Sequence, residues 1–174
     1  MTWIKGDDKW FTVCNTILGA AKAGLTTEVT RYLITTGQIA WDDCCKGQLA
    51  VSFTRTSPTE SFPTEQVTLG GPYSESGNCT PPYEIGEITV QIVRCAPTAL
   101  NGQTAPTTDA LTVHAKQNMI DANQIRRSVA AALCALHEDF STQLDYFIRS
   151  QLMIGPEGGC DGSELYIYAG LVAG

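Results

Sequence analysis

The chain has 174 residues, 43% of them apolar and 17% charged, with a formal net charge of −7. That length suits one domain with a sizeable core, and the acidic balance excludes a DNA grip, which needs a basic face to neutralise phosphates. No apolar run reaches the ~18 residues of a membrane span, and the opening MTWIKGDDKW lacks a signal-peptide apolar centre, so no membrane association and folding in a cytosol are expected.

Residues 7–23 predict a short amphipathic helix. Asp7 or Asp8 is placed to cap it, Trp10, Val13, Cys14, Ile17 and Ala21 share one stripe, and Gly24 is expected as its left-handed stop. VTRYLITT at 29–36 is rich in β-branched and aromatic residues and predicts a strand. Residues 48–55 alternate, with Leu49, Val51 and Phe53 facing one way and Ala50, Ser52 and Thr54 the other, as in a half-buried strand.

Residues 56–84 are dense in Pro, Gly, Ser and Thr and too long for an ordinary connection, which predicts an extended loop or hairpin arm reaching a neighbour. Alternation returns at 86–96 (Ile88, Val90, Ile92), and Pro97 ends that strand. Residues 107–137 predict a helix about 45 Å long, capped by Thr107 or Thr108, with Ala115, Met119, Ala122, Val129, Leu133, Leu136 and Phe140 on one stripe. A second short helix is expected at 141–150, a glycine-rich turn at 155–162, and a last strand at 163–172 with Leu165, Ile167, Ala169 and Leu171 on one face and Tyr166 and Tyr168 on the other.

The expectation is therefore a single α+β domain over 1–174: about four strands in a mixed or antiparallel sheet, with an N-terminal and a long helix on one face. Thr89, Gln91, Ser52 and Thr54 make the other face partly polar, open to solvent or a second subunit.

Seven cysteines cannot all pair within one chain. Adjacent Cys44 and Cys45 lack the separation of zinc knuckles, and no cysteine stands at a signature spacing from His114 or His137, both read as solvent-facing helical residues. No catalytic, metal or cofactor site is expected; a cysteine-dependent hydrolase or small metal-binding module is kept as the contrasting class. Two readings of Cys44, Cys45, Cys95 and Cys160 stay open. They are buried thiols, or they are staples between strand ends, with a Cys45–Cys95 bridge closing a loop of about 50 residues for ~2–4 kcal/mol.

WDDCCKGQLAV at 41–51, VRCAP at 93–97 and GPEGGC at 155–160 occur in that order. Together they resemble actinobacteriophage neck proteins, in which an acidic-Cys-Cys-x-Gly-Gln-Leu element, an Arg-Cys-x-Pro element and a late Gly-Gly-Cys element recur, over roughly residues 30–173. The element order is also similar to the tail terminators of long-tailed phages. That resemblance implies a virion protein assembled in the host cytoplasm into a ring, hexameric in the family's manner, between the tail tube protein and a head-side stopper or connector, with DNA passing through its channel. A stopper or adaptor of the neck is the alternative position. Candidate subunit contacts are the end of the 29–36 strand, Phe62, Tyr73, Tyr83, Tyr166 and Tyr168. Candidate channel-facing acids, which would repel DNA phosphates, are Asp42, Asp43, Glu84 and Glu87.

Overall fold

The structure, a computed structural model, describes residues 9–41, 44–59, 61–64, 83–98, 104–139 and 144–172. Two helices and five strands form an α+β fold. In chain order they are α1 (Lys9–Gly24), β1 (Arg31–Thr36), a 3-10 turn at Cys44–Lys46, β2 (Gln48–Thr59), β3 (Tyr83–Cys95), α2 (Thr108–Glu138), β4 (Leu144–Glu157) and β5 (Cys160–Val172). The strands make one sheet in the order β1-β2-β3-β5-β4. β1 runs parallel to β2 and every other neighbour is antiparallel, so the sheet is mixed.

β4 is the strand beyond the four expected, and it replaces the helix expected at 141–150. Register shifts between Ile148 and Ser150, and again between Ile154 and Glu157, break the two-residue alternation that would have announced it. Leu, Gln and Arg in this stretch are good helix formers, but pairing with β5 overrides that local preference. The hairpin turns at Gly158-Gly159, whose φ values of 58° and 79° suit a tight turn between right-twisted strands. Gly155 and Cys160 belong to the strands, so the turn is shorter than the expected 155–162.

One sheet face buries Leu49, Val51, Ile88, Val90, Ile92, Leu165, Ile167, Ala169 and Leu171. α1 covers it with Trp10, Val13, Cys14, Ile17 and Ala21, the stripe read from the sequence. α2, capped by Thr107 whose hydroxyl accepts from the Ala110 N–H, contributes Ala122, Ile125, Val129 and Leu133. Ala115 and Met119 depart from the expected core stripe: both are exposed, and the covered face of this part of α2 carries Asn118 and Asp121 instead. Phe140 lies outside the described residues.

Gly24 ends α1 without a left-handed φ, contrary to the expected stop. A Cβ there would collide with the Ser128 side chain and come within 3.2 Å of the Gln124 carbonyl, so the glycine serves the close approach of α1 to α2. Arg94, near the end of β3, bonds Asp121 of α2 at 2.6 Å and donates to the Thr27 carbonyl at 2.7 Å, tying sheet, long helix and the α1–β1 link together. β2 runs on to Thr59 and β3 starts at Tyr83, so less of 56–84 is an excursion than expected.

Candidate functional site

A parallel pair such as β1–β2 needs a link that travels back the length of a strand. Here the described residues of that link, 37–41 and 44–47, lie on the sheet face opposite the helices. Gly37 and Gly47, at φ 73° and 76°, turn the chain out of β1 and into β2. Ser52 Oγ donates to the Gly37 carbonyl, and Gln48 Nε2 donates to the Ala40 carbonyl at 2.8 Å.

Two disulfides hold this link down. Cys44 is bonded to Cys160 and Cys45 to Cys95, with Cα separations of 5.9 and 4.0 Å. Adjacent thiols on a strand would point to opposite faces, but Cys44 and Cys45 sit on a 3-10 turn and diverge to two strand ends that are themselves cross-strand partners, Cys95 opposite Cys160. Cys44, Cys160 and Val93 form a small apolar cluster with Trp41 and Ile154, separate from the main core. Cys14, buried in the main core, and the exposed Cys134 take no part in either bridge.

Between the stapled link and the β4–β5 hairpin lies a cleft of about 670 Å³. Ile39 and Trp41 form one wall and Glu157, Gly158 and Cys160 the other; Ser52, Thr54, Thr89, Gln91, Glu164 and Tyr166 make the floor. Gln91 Nε2 donates to Glu164 Oε1 at 2.6 Å, and the Tyr166 hydroxyl donates to Glu164 Oε2. That second bond, with burial, pushes the Tyr166 phenol up to about 12. Gln91 is only 2% exposed, yet among the described residues its Oε1 has no donor, and neither has Oε1 of buried Gln48 on the adjacent strand. Buried polar atoms are normally satisfied, so the cleft floor holds acceptor capacity that no described residue uses.

Further along the same face, Arg55 bonds Glu87 at 2.9 Å, and Arg149 donates to the Tyr168 hydroxyl at 3.1 Å. The Arg55 hydrogen bond, opposed by burial and helped by Tyr168, holds the Glu87 carboxyl below its usual range. Tyr166 and Tyr168 are thus half-buried members of polar networks within their own sheet.

The candidate channel acids do not share a surface. Glu84 has the register parity of Ile88 and accepts from the Trp10 indole at 3.3 Å on the helix side, whereas Glu87 faces the opposite way. Asp42 and Asp43 lie outside the described residues, as does Tyr73. Phe62 turns back onto its own sheet: a Cβ on Gly170 would come within 2.6 Å of its ring. Tyr83 is half-buried at the start of β3.

Among the described residues no group of three His, Cys, Asp or Glu side chains is placed to hold a metal. His114 is not solvent-facing as expected; its Nε2 lies 2.6 Å from Asp161 Oδ1 and 3.2 Å from the Asn118 amide. The sulfur next to Asp161, Cys160, is bonded to Cys44 and so presents no thiolate. Thr89, Gln91, Ser52 and Thr54 had marked the polar face, but Trp41, Glu157 and Glu164 had not been singled out as cleft residues. The only signal for them was the short β1–β2 spacing, which demands a return link once the pair is known to be parallel. No protein-family model matches the chain, and no curated protein matches it either.

Proposed function

We propose that the chain is a structural protein of a phage neck, a subunit of a tail-terminator ring that caps the tail tube and joins it to a head-side connector while DNA passes through. The observation that carries this reading is the sheet's one-sidedness. Two helices cover one face, while the other presents a polar cleft and tyrosine networks, and the 14-residue edge strand β4 leaves Phe147, Leu152 and Met153 about half exposed. Long edge strands with apolar side chains are liabilities unless something pairs with or covers them. The motif resemblance at 41–51, 93–97 and 155–160 names the assembly, and the disulfides give those motifs a shared physical role, since their cysteines form the two bridges.

No chemical step belongs to this function; its work is rigid, repeated contact. The test is imaging of the chain mixed with tail tubes and of the particle neck. Rings at tube ends are the expected result. A position on the head side of that ring would reassign the chain to a stopper or adaptor, and a protein that stays monomeric and never meets tubes would refute the assembly reading.

A further inference from the structure

Two regions of the described surface have complementary chemistry. The first lies where α2 meets the β4 edge. Met119, 64% exposed, and Met153, 53% exposed, flank a hollow of about 270 Å³ that also includes Arg126. Lys116 and Arg127 are exposed on the same helix. None of these three cations has an acidic partner among the described residues, although the whole chain carries an acidic excess of seven. Exposed apolar surface beside a sheet edge, rimmed by charge, is the composition of a contact surface.

The second region is the cleft on the opposite side of the sheet. Glu157 and Glu164 line it, no Lys or Arg does among the described residues, and Trp41 and Tyr166 offer aromatic surface. Its floor holds the 2%-exposed Gln91, whose Oε1 has no donor among the described residues. A guanidinium brings five donors in a planar fork, stacks on aromatic rings and tolerates desolvation better than an ammonium.

We propose that the cleft is the socket for the α2–β4 edge of a second copy of this chain, with that copy's Arg126 entering between Glu157 and Glu164 and its Met119 and Met153 packing at the rim. This rests on the ring reading and gives it a specific interface. The occupant is argued from charge: Arg126, with no acidic partner among the described residues, stands in the hollow that Met119 and Met153 flank, and the described lining of the cleft is acidic with no base. Because the two regions lie on different sides of the sheet, the contact is heterologous, repeats from copy to copy and closes only if the rotation suits a ring.

The test uses the full-length oxidised chain, read by native mass spectrometry and sedimentation velocity across a concentration series, with circular dichroism to confirm folding. Arg126→Glu and Glu157→Arg are each expected to raise the concentration needed for assembly by about tenfold or more, since like charges are set against each other. Arg126→Glu combined with Glu157→Arg in one chain is expected to recover most of that loss. Wild-type assembly that neither single variant disturbs, or a double variant that recovers nothing, overturns this interface and leaves the ring reading standing. Variants that lose tail-tube binding but keep self-assembly overturn it by assigning the cleft to the tube protein. A wild-type chain that assembles neither alone nor on tubes removes both readings.

Discussion

Asp121 is the most consequential charged residue of the helix layer. Its side chain is 1% exposed and takes bonds from Arg94 at 2.6 Å and Gln117 at 2.9 Å. Removing one member of a buried pair leaves the other charge uncompensated, which typically costs about 3–5 kcal/mol. Asp121→Asn should therefore lower the urea unfolding midpoint by an amount equivalent to about 3 kcal/mol, the lower end because Arg94 remains 14% exposed and keeps its Thr27 carbonyl. Glu87 acts at the same scale but through pH. Its folded-state pKa lies below the ordinary 4.5, chiefly because of the Arg55 hydrogen bond. It thus contributes stability that is present above 4.5 and is lost as pH falls through the folded value. Glu87→Gln should flatten the acid limb of a stability–pH profile in that window and leave the neutral plateau nearly parallel; an unchanged acid limb would show that Glu87 is not a source of it. Tyr166 has the opposite sign. Its raised pKa gives a contribution present below 10 and lost as pH climbs towards about 12.

At the scale of elements, the described parts of the β1–β2 link, residues 37–41 and 44–47, are held by hydrogen bonds and by two covalent bridges. Its described residues bond β2 through Gln48, Ser52 and the Phe53 carbonyl, and their Lys46 and Gly47 carbonyls accept from the Thr30 and Arg31 N–H groups, while the two bridges add covalent anchorage. Each bridge is expected to contribute about 2–5 kcal/mol. Cys44→Ser with Cys160→Ser, and separately Cys45→Ser with Cys95→Ser, should each lower the unfolding midpoint accordingly. Because Cys44 and Cys45 are neighbours, a digest of the non-reduced protein should yield their peptide joined to both the Cys95 and the Cys160 peptides. Partial reduction is then needed to assign the pairs, and free thiols at all four positions would eliminate the stapled link. Much of this scale was legible in the sequence: α1, α2 with its threonine cap, and the alternating faces of β2, β3 and β5 follow from periodicity, which buried faces impose directly. β4 was not legible because its bulges erase that periodicity. The cleft was half legible: alternation alone marks its polar floor, but its wall depends on β1 and β2 being parallel, a long-range fact that no local pattern records.

At the scale of the whole molecule, two layers of unequal dependence are stacked on one sheet. The helix side is held by a continuous apolar core that contains neither disulfide. The opposite side is organised by the stapled link, whose separate cluster contains Cys44 and Cys160. Reduction should therefore act on the two sides differently. With both bridges opened under mild reductant, the helix-side core keeps its packing, so far-ultraviolet circular dichroism should change little at room temperature. The link is then free to lift from the sheet, and the wall carrying Trp41 loses its fixed position against the Glu157–Cys160 hairpin. An assembly that seats a neighbour in that cleft should dissociate, with the concentration for assembly rising at least about tenfold, while a control with both pairs replaced by serine should behave like the reduced wild type. Assembly that persists unchanged after complete reduction, verified by thiol counting, would mean that the contacts between copies lie away from the stapled side. Loss of helical signal together with assembly would instead show that the bridges support the whole domain, and that the two sides of the sheet are one cooperative unit.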